Sequence, residues 1–212
     1  MRVSDARSIA RVHRTALQGF LPSLGEAVLA HVYLATCTAP RTVGLVVESG
    51  GEVVGFVLAT CHTRRLFRHV LFRRGLGLGL AVFRALLRKP GILGKVLETF
   101  RYPSRSATPS GRLPDEAELV AIGVLPRHRG RGMATAMVRE LGRELSRLGV
   151  RTYGVATYAS NAEAGHLYRS LGFELVDEFA MYDRTWTRYR IDLSRQDTIP
   201  GRTVLPPSDA GL

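Results

Sequence analysis

The 212-residue sequence has few cysteines, a single tryptophan and, over one long stretch, almost no acid. Cys37 and Cys61 stand 24 positions apart, form no C-x-x-C pair and have no histidine at zinc-ligand spacing. That argues against a disulfide scaffold or a zinc site and for two buried thiols in a reducing compartment, so no metal is expected. The first residues, Met1 to Asp5, lack the apolar core of a secretory signal. Near the middle of the chain the charge-free run Gly75 to Phe83 falls far short of the roughly 20 residues that span a bilayer. These absences give the expectation of a soluble, cytoplasmic protein. A Walker loop, G-x-x-x-x-G-K-S/T, does not occur. A dinucleotide fingerprint fails as well. Gly130-x-Gly132 is followed by Thr135 at the third position, and the strand-like segment Val150 to Tyr158 carries no Asp or Glu. No internal repeat is visible.

Charge is present but uneven. The net charge is +12. Between His62 and Arg112 twelve basic residues face only Glu98, so this stretch contributes +11 of that total. Hydrophobic residues make up 45% of the chain, an ordinary globular proportion that excludes wholesale disorder.

Periodicity predicts helices over Asp5 to Gln18, with Ser4 or Asp5 as cap, and over Leu24 to Thr36. Val43 to Glu48 and Val53 to Thr60 read as a hairpin turning at Ser49-Gly50-Gly51-Glu52. The Gly75-Leu76-Gly77-Leu78-Gly79 run is expected to break regular structure, with a short helix over Leu80 to Lys89, another over Ile92 to Phe100 and a loop over Ser104 to Pro114. Glu118 to Leu125 reads as a buried strand, Met133 to Leu148 as an amphipathic helix closed by Gly149, and Val150 to Tyr158 as the next strand. Ser160 to Glu163 has the form of a capping box opening a helix to Leu171. Glu174 to Tyr182 and Trp186 to Leu193 form a last hairpin across Asp183-Arg184-Thr185. The class is α/β, a mixed central sheet flanked by helices. A single domain over 1–193 is expected, with a basic insertion at about 62–115 and a disordered tail over 194–212.

The segment after Val124 carries chemistry. Gly130 and Gly132 allow close backbone approach, the first amides of the following helix point outward, and Arg127, Arg129 and Arg131 add positive potential. A strand, glycine loop and helix of this kind suit a pyrophosphate. Arg129-Gly130-Arg131-Gly132-Met133-Ala134 resembles the coenzyme motif of the GNAT (Gcn5-related) N-acetyltransferase family, and Val124-Leu125-Pro126 resembles the ending of the strand before it. Asn161, Tyr168 and Gly172-Phe173 resemble the family's second signature. The close match covers about 116–193 and a looser one 1–60.

The resemblance implies a GNAT-like acyl-CoA N-acyltransferase fold with the basic insertion between the family's third and fourth strands. It departs at the start, where only Met1-Arg2-Val3 could supply the usual first strand. It implies acetyl-CoA as cosubstrate. The backbone of Gly130, Arg131, Gly132, Met133, Ala134 and Thr135, together with Arg129, would hold the pyrophosphate. Ile122, Gly123 and Val124 would pair with the pantetheine amides and Asn161 would contact that arm. The two strands flanking the thioester splay apart in the family.

Acyl transfer to an amine needs a proton acceptor, an oxyanion donor and a proton for the leaving thiolate. Tyr168 supplies an O–H and lies two helical turns from Asn161. Glu118 is the expected base, acting through a water. Strand alternation would put 118, 120, 122 and 124 on one face, and the position matches the base of the histone-acetyltransferase branch. Asp115 and Glu116 are the alternatives. The branch acting on ribosomal proteins carries its base five residues before the Asn, where this chain has Ala156. By analogy, the Val124 N–H would meet the oxyanion.

The expected function is acetyl transfer to a primary amine of a small molecule or protein in a direct ternary complex. A non-catalytic coenzyme-A-binding module, or a membrane- or nucleic-acid-associated protein on the same scaffold, is the alternative. The basic segment fits four roles: an insertion packed on the sheet, a site for an acidic acceptor, a contact with an anionic membrane surface, or a nucleic-acid contact. A homodimer is compatible with all of them.

Overall fold

The computed structural model describes residues 1–88, 116–181 and 183–194. The chain opens with a 3-10 turn, Val3–Asp5, followed by α1 (Ala6–Ala16), the single turn α2 (Phe20–Ser23) and α3 (Glu26–Thr36). A hairpin, β1 (Thr42–Ser49) and β2 (Glu52–Thr60), leads into α4 (Thr63–Arg88). Then come β3 (Glu116–Val124), a 3-10 turn at Pro126–His128, α5 (Met133–Arg147), β4 (Thr152–Tyr158), α6 (Ala162–Ser170), β5 (Glu174–Met181) and β6 (Arg184–Asp192). The six strands form one sheet in the order β1-β2-β3-β4-β6-β5. Only β3 and β4 run parallel. The mixed α/β sheet agrees with expectation. The helix expected over 92–100, the loop over 104–114 and the tail from 195 lie outside the described residues.

Each face of the sheet is covered because each flanking helix has one apolar side. On one face α5 buries Met137, Val138, Leu141 and Leu145 against Val57, Leu119, Tyr153 and Val155. On the other, α1 and α3 bury Ile9, Val12, Leu29 and Tyr33 against Phe56 and Leu58. α5 ends in a left-handed glycine, Gly149 at φ +77°, with Val150 N–H bonded back to Leu145 O at 3.0 Å. Cys61 is buried, Cys37 half-buried, and both are free thiols.

Four local expectations are corrected. Gly75, Gly77 and Gly79 do not break the chain; α4 runs through them as one helix of 26 residues. Tertiary packing overrides propensity there, because a Cβ on Gly77 would lie 2.9 Å from Cε1 of His31 on α3. Ser160 does not cap α6; Asn161 does, its side chain accepting from Ala164 N–H at 3.1 Å. Asp5 likewise spends its carboxylate on the preceding turn, accepting from Arg2 N–H at 2.5 Å, rather than on α1. The last hairpin also turns earlier than expected, since Met181 pairs with Arg184 and Thr185 is already in the strand.

No strand precedes α1 among the described residues. The amino group of Met1 donates to Gly44 O on the edge strand β1 at 3.0 Å instead.

His13 is buried in the α1–α3 layer, its ring 5.9 Å from Phe56 and its Nδ1 2.5 Å from the Tyr33 hydroxyl. Burial lowers its pKa from 6.5 to about 4. Above pH 6.5 both folded and unfolded chains carry it neutral. As pH falls from there towards 4 the unfolded chain takes up a proton that the folded one excludes, so stability is lost. The full loss is about 3 kcal/mol. Thermal melts at pH 7 and pH 4.5 should therefore differ, and His13→Gln should flatten that dependence.

Candidate active site

β3 is the element on which the site is built. Along its lower half it pairs with β4, from Glu116↔Thr152 to Leu119↔Val155. Beyond Leu119 and Val155 the two strands no longer pair, although β3 runs on to Val124 and β4 to Tyr158. A slot opens between them. Leu125 N–H bonds Val54 O of β2 at 2.9 Å, which fixes the alternation of backbone groups. Gly123 and Leu125 turn their amides and carbonyls towards β2, whereas Ile122 and Val124 turn theirs into the slot. The Val124 carbonyl is held by Arg129. The other slot-facing main-chain groups need partners, and an extended amide-bearing ligand would supply them as an added strand. Gly123 instead faces α1; a Cβ there would lie 3.1 Å from Phe56 and 3.4 Å from Ala16.

The expected alternation of 118, 120, 122 and 124 on one face does not hold. Leu58 pairs with Ala121 but Ala59 with Leu119, so Val120 is an extra residue in β3. The bulge reverses the faces. Ala117 and Leu119 before it, and Ile122 and Val124 after it, all face α5, whereas Ala121 and Leu125 face α1. Glu118 therefore lies on the α1–α3 face, opposite Ile122 and Val124. It stands at the closed end of the slot, paired with Gly154 of β4. Thr63, the first residue of α4, donates its hydroxyl to Glu118 Oε2 at 2.5 Å. Glu116, on the same face, is buried and held in a two-pronged ion pair by Arg190, Nε to Oε1 at 2.9 Å and Nη2 to Oε2 at 3.3 Å. That pairing fits a structural carboxylate, not a base. Asp115 lies outside the described residues.

Tyr168 stands on the other face of the sheet. Its ring packs 5.3 Å from Phe173 and 5.8 Å from Tyr189. Tyr189 pairs with Val155, the last residue of β4 still joined to β3, so Tyr168 sits beside the same closed end. Its hydroxyl makes no hydrogen bond among the described residues. Burial pushes its pKa well up, which keeps the O–H protonated and available as a donor. Local structure explains part of the Asn161, Tyr168, Gly172-Phe173 spacing. Gly172 takes the left-handed conformation at φ +86°, Phe173 N–H returns to Tyr168 O at 3.0 Å, and the Phe173 ring closes on Tyr168. The helix stop thus holds the tyrosine in place.

Above the open end lies the glycine loop. Gly130 and Gly132 have φ of +72° and +74°, and a Cβ on either would meet nothing within 4 Å. It is the backbone conformation that calls for glycine here, and the space beside it is open. Gly132 caps α5, whose own bonding starts with Ala136 N–H to Gly132 O at 2.9 Å. The amides of Met133, Ala134 and Thr135 are left pointing outward at the positive end of the helix dipole. The three arginines divide their tasks. Arg129 ties the loop down, donating to Val124 O at 3.2 Å and to Ala16 O at 2.8 Å. Arg127 pairs with Glu52 at 2.9 Å. Arg131 is exposed and has no ion-pair partner among the described residues. Asn161 caps α6 three residues after Tyr158, the last residue of β4.

The sequence reading overlooked Tyr158. Its ring lies 4.4 Å from Trp186, with the Arg184 guanidinium 4.9 Å above it. A Cβ on Gly19 would lie 2.5 Å from its hydroxyl, so the α1–α2 segment crosses this mouth of the slot. Its place at the end of a strand beside an N-cap was the available signal.

Comparisons with known proteins bear on this geometry. A family model described as FR47-like protein matches residues 104–182. The ribosomal protein bS18-alanine N-acetyltransferase of Escherichia coli (strain K12) is 44% identical over 59 residues, 28% of this chain. The chain resembles the GNAT family over this part of its length. That aligned stretch spans 40% of the length of the E. coli relative. Among solved structures, the ribosomal-protein-S18-alanine N-acetyltransferase from E. coli superimposes with a TM-score of 0.55 at 16% identity, covering 97% of this chain and 96% of that one. The PaiA N-acetyltransferase from Thermoplasma acidophilum, in complex with coenzyme A, superimposes with a TM-score of 0.54 at 9% identity, covering 90% and 96%. At such identities these two likenesses speak for the GNAT fold alone.

Proposed function

We propose that this protein is an acetyl-CoA-dependent N-acetyltransferase of the GNAT type that passes an acetyl group directly to a primary amine. The observation that carries the reading is the slot between β3 and β4, opening beneath the outward amides of α5. A pyrophosphate would lie on the amides of Gly130 to Thr135 with Arg131 beside it. The pantetheine arm would run along Ile122 and Val124, within reach of the Asn161 side-chain amide. A protein with this fold is known in complex with coenzyme A, which supports the choice of ligand.

The residues then divide the work. Glu118, on the α1–α3 face, takes the proton from the incoming amine through a water, leaving a neutral nucleophile. The new C–N bond forms as the amine attacks the thioester carbonyl, and the Val124 N–H receives the developing oxyanion in the slot. As the C–S bond breaks, Tyr168 on the opposite face gives its proton to the thiolate, the second proton of the former amine leaves nitrogen to solvent, and solvent reprotonates the tyrosinate. Base and acid thus flank the thioester from opposite sides of the sheet, which suits a single ternary complex with no acyl-enzyme.

The relative's name specifies an alanine of ribosomal protein bS18 as acceptor. Ala156 stands in this chain where the branch acting on ribosomal proteins carries its base, so the acceptor is here assigned only as a primary amine. Calorimetric titration with acetyl-CoA at two salt concentrations tests the reading. Micromolar one-to-one binding, followed by thiol release in the presence of amines, is the expected result. Absence of binding up to millimolar coenzyme would overturn it, and binding without transfer to any amine would favour a coenzyme-A-binding module.

A further inference from the structure

α4 is 26 residues long, about 39 Å at the rise of an α-helix. One flank packs on α3, and at its start Thr63 meets Glu118 of β3. Thr63 and Leu66 are buried there, and Gly77 lies against His31. The opposite flank carries Phe72, Leu76, Leu80, Phe83 and Leu87, exposed by 78, 95, 50, 56 and 70%. At about 100° per residue these five side chains fall within an arc of roughly 80°. The solvent-facing stripe of this helix is apolar, the reverse of an ordinary surface helix. Isolated exposed leucines are normal, but a continuous row of large apolar side chains marks an interaction surface.

Charge decides what fits it. Residues 63–88 contain seven arginines and no aspartate or glutamate. Arg73 and Arg84 fall along one border of the stripe, and Arg68 lies beyond the other; all three are exposed. A second copy of the chain would bring two such cationic helices face to face, which repulsion opposes. A bilayer with anionic headgroups satisfies both features at once. The apolar row enters the acyl boundary, and the arginines extend to the lipid phosphates. Among the described residues no helix is long and apolar enough to cross a membrane, so the contact is with the surface.

We propose that α4 docks this protein on anionic bilayers through the Phe72, Leu76, Leu80, Phe83 and Leu87 stripe, with Arg68, Arg73 and Arg84 on the headgroups. The proposal rests on α4 alone and stands apart from the catalytic reading. Flotation of the full chain with vesicles of phosphatidylcholine containing 30% phosphatidylglycerol, against phosphatidylcholine alone, tests it at 50 and 300 mM salt. Binding should be at least tenfold stronger to the anionic vesicles and should weaken with salt. A Leu76→Ser, Phe83→Ser double variant should lose at least tenfold in vesicle binding while its melting temperature and acetyl-CoA affinity stay unchanged. Failure of the wild-type chain to float with anionic vesicles would overturn the proposal. So would a double variant that binds as the wild type does, since the stripe would then be idle. A wild-type dimer that the double variant dissociates would overturn it in favour of self-association. A double variant with a clearly lowered melting temperature would overturn it too, by showing the stripe covered within the chain.

Discussion

Replacing Glu118 by Gln should lower turnover at neutral pH about 100-fold or more, the usual scale for loss of a general base, while leaving the affinity for acetyl-CoA unchanged. The two effects separate because of the bulge at Val120. Glu118 lies on the α1–α3 face, whereas the slot-facing groups of Ile122 and Val124 belong to the strand beyond the bulge. The substitution is close to isosteric. A glutamine oxygen can still accept the Thr63 hydroxyl that now lies 2.5 Å from Oε2, so the start of α4 should keep its anchor and the fold its stability. Steady-state kinetics with any amine found to accept acetyl, beside calorimetry with the coenzyme, would check the split. Glu116→Gln is the informative contrast. It loosens the ion pair with Arg190, so its cost should fall on stability rather than on turnover. Undiminished transfer by Glu118→Gln would remove Glu118 from the mechanism.

Much of this site was legible in the sequence because its signals are local. The glycine loop announces itself through residues whose conformations glycine alone takes easily, and the apolar spacing of Met137, Leu141 and Leu145 places α5 directly after it. Asn161, Tyr168 and Gly172-Phe173 are also local, since capping and the helix stop fix them within one short helix. What was not legible depends on partners distant in sequence. The bulge at Val120 exists only in the register between β2 and β3, and it moved Glu118 to the face opposite the one that simple alternation assigns. Arg129 looked like a phosphate ligand in the sequence, yet its guanidinium is spent on Val124 O and Ala16 O, the second belonging to a helix more than a hundred residues earlier. Glycines at 75, 77 and 79 argue against a helix on propensity, but at 77 the lack of a side chain is what lets α4 approach His31. At Gly77 a tertiary contact outweighed a helix-propensity cost of about 1 kcal/mol.

Gly132→Val should weaken acetyl-CoA binding about 100-fold, which corresponds to about 2.7 kcal/mol. Gly132 stands at φ +74° at the start of α5, a region that a β-branched residue occupies only under strain. Relief of that strain turns the Gly132–Met133 peptide and misaims the amides of Met133, Ala134 and Thr135, on which the pyrophosphate is proposed to rest. Strain alone would also lower stability, by about 1–3 kcal/mol, so binding must be judged against a variant with the same backbone cost elsewhere. Gly149 provides it. It stands at φ +77° at the other end of the same helix, and a Cβ there too would meet nothing within 4 Å. Gly149→Val should therefore lose comparable stability in denaturant titrations yet bind acetyl-CoA as the wild type does. Loss of affinity confined to Gly132→Val would tie the coenzyme to the amides of this loop. Equal affinity in the two variants would put the pyrophosphate elsewhere, because a helix terminus that holds an anion cannot be rebuilt at its first residue without the anion registering it.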